Sequence, residues 1–242
     1  MVVINMERMK ICAHRGASAY APENTMPAFE LAARQKADSI EIDVHLTKDD
    51  IIVVSHDGSI DRCSDGHGDI CGMTYSELKR YNFAALYPKY GFVGIPTVAD
   101  VYAMAARTGL RVNVEIKGGI GRIEPLLAAV ARDMNMGDRV YYCSFDLRAL
   151  VNIKREDPLC STGLLFDNAP NDVLQVCLQN RIDAVHPWRG ALTEADMRSY
   201  HSAGLIVRPW VVDEREEMLE LMHCGADELI TNKPDIAYEV VH

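Results

Sequence analysis

The sequence predicts an α/β fold, a (β/α)8 TIM barrel with a short insertion after the second strand and its hairpin. Three observations carry that prediction. The 242 residues suit one domain of the roughly 250 residues that such barrels need. Short apolar or β-branched runs alternate with longer helix-period stretches from end to end, in eight strand–helix units. Acidic side chains also interrupt strands that both faces of a parallel sheet should keep aliphatic. A doubly wound open sheet is the competing architecture, and no G-x-G-x-x-G follows an early strand to support its dinucleotide-binding form.

In chain order, MKICAH (9–14) is the first expected strand and 26–36 the first helix. SIEIDV (39–44) is the second strand; the turn KDD (48–50) and the run IIVVSHD (51–57) fold back on it as a hairpin. Residues 58–96, rich in Gly, Asp and Tyr, are too long for a plain loop and read as an insertion over the mouth of the barrel. Pro96-Thr97 opens a helix over 98–108 that Gly109 ends. RVNVEI (111–116), a helix over 122–135, RVYYCS (139–144) and a helix over 146–156 begun by Asp146 come next. STGLLF (161–166), a helix over 170–180, IDAVHP (182–187) and a helix over 193–203 between Thr193 and Gly204 continue the rhythm. LIVRPWV (205–211), a helix over 214–223 between Asp213 and Gly225, DELIT (227–231) and a helix over 234–241 complete it, making 1–242 one domain.

Composition narrows the partners. The net charge of −10 opposes nucleic-acid binding, which rests on Lys and Arg displacing counterions, yet leaves room for a local basic pocket around one small phosphate. No apolar run approaches the roughly 20 residues of a membrane span, and MVVINMERMK lacks the apolar centre of a secretory signal. Seven scattered cysteines without a C-x-x-C pair read as reduced packing thiols. These features together give a cytoplasmic expectation.

Residues two apart on a strand share a face. Glu41 and Asp43 therefore point together into the barrel, and Glu115 does so from the next parallel strand. Buried charges of this kind cost several kcal/mol each unless paired or bound to a cation, and all-oxygen ligands favour Mg2+ or Ca2+. Purely structural salt bridges are the alternative, and they predict no sensitivity to a chelator. His14 ends the first strand and His56 ends the hairpin, which places two imidazoles at the same rim for general acid–base work. Arg15 and Lys117 bring positive charge there; with three carboxylates and one divalent ion the sum is +1, complementary to a singly charged phosphodiester.

Taken together, HRG (14–16), PENT (22–25), EIDVHLTKDD (41–50), VVSHD (53–57), DR (61–62), VNVEIK (112–117), SF (144–145), PW (209–210) and GADELITNKP (225–234) resemble the glycerophosphodiester phosphodiesterase family, in the family's order along nearly the entire chain. The resemblance implies metal-dependent hydrolysis of glycerophosphodiesters to sn-glycerol 3-phosphate and an alcohol. It implies Glu41, Asp43 and Glu115 as metal ligands, His14 and His56 as the acid–base pair, and Arg15 and Lys117 as a phosphate clamp. Glu23 and Asn24 fall at the active-site mouth, and Phe145 and Trp210 where aromatics border the organic end of the substrate, with core packing as the alternative for these two rings. The sequence departs from the pattern twice: Asp213 stands where the family usually has Asn, in W-T-V-N, and Asn232 where it usually has Asp, in T-D-x-P. These departures bear on loop hydrogen bonding and substrate preference. A lysophospholipase D-like activity, using aromatics of 58–96 as an acyl groove, and a noncatalytic phosphate-binding barrel are the rival readings.

Overall fold

The computed structural model describes residues 8–169 and 172–242. Its core strands are β1 (Lys10–Ala13), β2 (Ser39–Leu46), β4 (Arg111–Ile116), β5 (Val140–Ser144), β6 (Ser161–Phe166), β7 (Ala184–Pro187), β8 (Ile206–Val207) and β9 (Glu228–Thr231), with β3 (Ile52–Val54) as the hairpin partner of β2. The helices are α1 (Met26–Arg34), α2 (Tyr75–Leu78), α3 (Val98–Thr108), α4 (Ile123–Asp133), α5 (Leu147–Glu156), α6 (Val173–Asn180), α7 (Glu194–Ser202), α8 (Arg215–His223) and α9 (Pro234–Val241). Strands run β8-β7-β6-β5-β4-β2-β1-β9, all parallel, while β3 is antiparallel to β2 with Val44 opposite Val54. Single backbone bonds close the ring between β8 and β9, from Asp227 N to Val207 O (3.2 Å), Ile230 N to Pro209 O (3.0 Å) and Val212 N to Ile230 O (2.9 Å). This is the expected barrel, and among the described residues no helix is long and apolar enough to cross a membrane.

Alternation positions the site. Ile40, Ile42 and Val44 on β2, with Val112, Val114 and Ile116 on β4, pack outward into the apolar layer beneath the helices. The intervening residues turn inward, and the register sets Glu41 beside Asn113 and Asp43 beside Glu115. Local chemistry starts several helices as anticipated. Thr97 with Asp100 and Thr193 with Asp196 form reciprocal caps, and Asp146 accepts from Arg148 N. Gly109 adopts φ 82° after α3, the left-handed turn that glycine permits at a helix end.

Several boundaries differ from the sequence reading. Strand 205–211 contracts to Ile206–Val207 as a regular strand, although Arg208 N still bonds Val185 O (2.9 Å) and Trp210 N bonds Pro187 O (3.1 Å) of β7; Pro209 offers no N–H toward β9, and Trp210 keeps an isolated bridge to Trp188. The helices expected over 26–36 and 122–135 stop at Arg34 and Asp133, just before Lys36 and Asn135 take positive φ. Residues 170 and 171 of the expected helix 170–180 lie outside the described residues, and the helix runs over Val173–Asn180. Asp213 does not cap α8; Glu214 precedes that helix, and the Asp213 carboxylate turns instead to Thr231 and Asn232.

Residues 58–96 carry an apolar cluster of Ile60, Ile70, Leu78, Phe83 and Ile95 packed on Val53 of the hairpin. Tyr90 Oη donates to Tyr20 O (3.1 Å), tying this segment to the loop after β1. All seven cysteines are unbridged.

Below the acids the barrel interior holds a second polar layer that aliphatic expectations missed. Glu228 accepts from Tyr141 Oη (3.0 Å), Arg208 Nε (2.8 Å) and Ser39 Oγ. Arg208 and Arg111 lie over the Tyr141 ring at 4.3 and 4.7 Å.

Candidate active site

The site grows from the C-terminal ends of β1, β2 and β4, where a barrel displays its working groups. His14 follows β1 and donates its backbone N–H to Thr231 O of β9 (2.8 Å). The chain then reverses through Arg15 and Gly16, with φ of 55° and 80°. A Cβ on Gly16 would come within 2.7 Å of the Ala28 carbonyl carbon, so glycine alone fits. That turn aims the Arg15 amide at Glu41 Oε2 (2.9 Å).

Glu41, Asp43 and Glu115 converge as β-alternation requires. One carboxylate oxygen from each lies within 4.8 Å of the others, and all three residues are buried. Lys117 Nζ pairs with Glu115 Oε1 (2.7 Å) and stands 3.4 Å from Asp43 Oδ1; Arg15 Nε is 3.3 Å from Asp43 Oδ2. Asn24, itself at φ 55°, donates its Nδ2 to Asp43 Oδ2 (2.7 Å). Glu23 joins Arg15 (3.0 Å) to Arg62 (2.7 Å) of the insertion.

The electrostatics follow from crowding. Burial, then the charges of Asp43 and Glu115, push the Glu41 carboxyl well above its ordinary range. Burial and Asp43 likewise raise Glu115, to about 7. Burial acts upward on Asp43 too, but Lys117 and Arg15 outweigh it and hold that carboxyl low. Glu41 Oε1 and Asp43 Oδ1 are buried without a hydrogen-bond partner. Orphaned carboxylate oxygens at such a convergence are costly, and an all-oxygen set with spare lone pairs is what a hard divalent cation takes.

Both imidazoles stand near enough to Asp43 to act on its charge. His14 Nδ1 faces Asn232 Oδ1 at 2.8 Å, and burial with the neighbouring Arg15 charge lowers this imidazole to about 4. His56 Nδ1 faces Asp57 Oδ1 at 2.6 Å, and Arg62 Nε binds Asp57 Oδ2 at 2.7 Å. Arg62 first, and then His56, hold the Asp57 carboxyl down to about 2 against the upward push of burial.

Phe145 and Trp210 meet edge to face with ring centroids 5.7 Å apart, while Trp210 Nε1 donates to His186 O (2.8 Å). Phe145 is 47% exposed, as is Trp188 beside Trp210 on its bridge, so this aromatic group belongs to the surface and not the core.

Arg62, Asp57, Ser18 and Trp188 carried no assigned role in the sequence, Asp213 stood as a helix start and a departure from the pattern, and Asn232 as a departure alone. Asp57 and Arg62 lay within quoted motifs, whereas only the opposite senses of the 213 and 232 changes signalled a contact between distant residues.

Comparison with known proteins agrees with this geometry. Residues 14–236 match the Glycerophosphoryl diester phosphodiesterase family. The chain is 32% identical to a glycerophosphodiester phosphodiesterase of Caldanaerobacter subterraneus subsp. tengcongensis, across 96% of this chain and 97% of that protein. It is 31% identical to another from Bacillus altitudinis, over 96% and 97% of the two chains. An Oleispira antarctica phosphodiesterase solved in complex with the product sn-glycerol-3-phosphate superposes with a TM-score of 0.89 at 25% identity, covering 97% of each chain. With a family match that spans nearly all of the barrel, the chain belongs to the glycerophosphoryl diester phosphodiesterase family, as a phosphoric diester hydrolase.

Proposed function

We propose that this chain hydrolyses glycerophosphodiesters to sn-glycerol 3-phosphate and an alcohol, with Glu41, Asp43 and Glu115 holding one divalent cation, Mg2+ or Ca2+. The observation that carries the reading is the convergence of three buried carboxylates, two with oxygens that accept no hydrogen bond, beside Arg15 and Lys117. A cation bound there supplies Lewis-acid charge neutralisation to a phosphate oxygen.

The protein's own groups do the rest. His14, neutral at pH 7, takes a proton at Nε2 from the nucleophile, which is water or the neighbouring glycerol hydroxyl; in the second case a cyclic phosphate forms and water opens it in a following step. His56 gives a proton to the departing alkoxide, and the Asp57 carboxylate complements the charge the ring carries while protonated. Arg15 and Lys117 face the developing negative charge on phosphorus. Asn24 keeps Asp43 oriented, and Glu23 braces Arg15 against Arg62. Phe145 and Trp210 offer an apolar wall for the alcohol portion. The insertion 58–96, one continuous fold with the barrel, covers the mouth through Arg62.

A coupled assay for glycerol 3-phosphate across several glycerophosphodiesters, beside an assay for choline release from glycerophosphocholine and lysophosphatidylcholine, each with and without chelator, tests this reading. Turnover of glycerophosphocholine that chelator abolishes is the expected result. Preference for the lysolipid would move the function to a lysophospholipase D-like activity, and absence of metal-dependent turnover on every substrate would leave a noncatalytic phosphate-binding barrel. Replacing His14 or His56 should lower kcat by about 10²–10⁴-fold.

A further inference from the structure

The two departures from the family's pattern, at positions 213 and 232, turn out to touch each other. Asp213 Oδ2 accepts from Asn232 Nδ2 at 2.6 Å. Asp213 Oδ1 accepts from Thr231 Oγ1 (2.9 Å) and Asn232 N (2.8 Å), so the carboxylate is held from both sides. At the far end of the amide, Asn232 Oδ1 faces His14 Nδ1 (2.8 Å) and Ser18 Oγ (2.7 Å).

We propose that Asp213 is a positioning residue for the reaction: acting through Asn232, it fixes His14 as the tautomer with hydrogen on Nδ1 and leaves Nε2 free to take a proton. This inference rests on the acid–base role given to His14 under the proposed function.

The argument is one of donors and acceptors. An amide has one accepting and one donating end, and its partners determine which way it lies. A carboxylate can only accept, so Asn232 must present Nδ2 to Asp213; turned over, it would set oxygen against oxygen at 2.6 Å. The end left for His14 is therefore the carbonyl oxygen. That oxygen can only accept, so the hydrogen of a neutral imidazole sits on Nδ1 and the lone pair on Nε2. An Asn232 free to turn would admit the other tautomer, whose Nε2 carries a hydrogen and cannot serve as base. Relative to the usual pattern, acid and amide have exchanged places. In this chain the negative charge therefore sits on Asp213, one side chain away from His14, which rests against a neutral oxygen. Arg15, Asp43 and Glu23 are the charged groups that act on His14 from the surrounding elements.

The test compares full-length wild type with Asp213→Asn, Asn232→Asp, the double exchange and His14→Gln. It reads kcat, KM, the pH profile of kcat/KM and melting temperature for each. Asp213→Asn keeps an oxygen for Thr231 Oγ1 and Asn232 N, so a purely structural role for Asp213 predicts near-normal turnover. The proposal predicts kcat lowered about 10-fold or more, a part of the roughly 10²–10⁴-fold that a general acid–base group contributes, and KM changed less than about twofold. The double exchange should restore most of kcat. Its acidic limb should move up by about 1–3 pH units, because a carboxylate against the imidazole favours the charged ring. Nitrogen-15 NMR of the wild-type histidines, with His14 assigned by its loss in His14→Gln, should show hydrogen on Nδ1, a readout that needs no variant at Asp213 to fold. Normal kcat in Asp213→Asn, a double exchange no better than that single variant, or hydrogen on Nε2 in the wild type would overturn the proposal. Should His14→Gln keep full turnover, the acid–base reading itself falls; should it be inactive while Asp213→Asn is normal, only the positioning role falls.

Discussion

Glu115 shows how much one side chain's surroundings govern. Its carboxyl is raised to about 7 by burial and by Asp43, so without a cation it binds a proton that an unfolded chain releases near its ordinary value of 4.5. The native protein then holds more protons than the unfolded chain between those values, and the cation-free protein loses stability as pH rises toward 7. A divalent cation has to displace that proton, so affinity rises with pH through about 7. Calorimetric unfolding at pH 6 and pH 8 checks the sign: Mg2+ or Ca2+ should raise Tm more at pH 8, whereas equal increments would contradict shared protonation. The same crowding explains why Lys117 and Arg15 stand where they do. Each pairs with Asp43, the acid held ionised between two raised neighbours.

The parallel ladder of β2 and β4 converts a two-residue sequence period into a site, because Asp43 and Glu115 are registered partners. The turn after β1 completes it. Gly16→Ala would add left-handed strain of roughly 1 kcal/mol and an overlap with Ala28 costing roughly 1–3 kcal/mol more. The expected outcome is a Tm lower by about 4–16 °C, together with weaker cation binding as Arg15 N draws away from Glu41. Normal melting would show that the turn can relax. Strand alternation made Glu41, Asp43 and Glu115 legible before any coordinates, since charged residues at inward strand positions need a reason. The rest was hidden for physical reasons. Pro209 removed an N–H on the β9 side of a run that still looked like a regular strand. Asp213 carried the composition of a helix cap, yet its partners Thr231 and Asn232 come from a strand end distant in sequence. Phe145 and Trp210 were ambiguous between core and surface because apolar content alone does not tell which face of the rim they occupy.

The barrel as a whole is polar through its axis, with acids at the rim and the Ser39, Tyr141, Arg208 and Glu228 layer below. Arg208 and Glu228 are both 2% exposed, so breaking one partner strands a charge out of water. Glu228→Gln should cost about 3–5 kcal/mol and lower Tm by about 6–20 °C, as urea unfolding and calorimetry would report, while leaving the pH profile of turnover in place. The segment 58–96 reaches the other end of this axis through Arg62, which binds Glu23 of the loop after β1 and Asp57 after the hairpin. The rim chemistry stands or falls with the cation. Chelator-treated protein titrated with Mg2+ or Ca2+, while glycerol 3-phosphate release from glycerophosphocholine is followed, should regain activity along a saturable one-site curve, and Asp43→Asn should regain almost none. Full-rate turnover by the chelated wild type would contradict the assignment of Glu41, Asp43 and Glu115 to a catalytic cation.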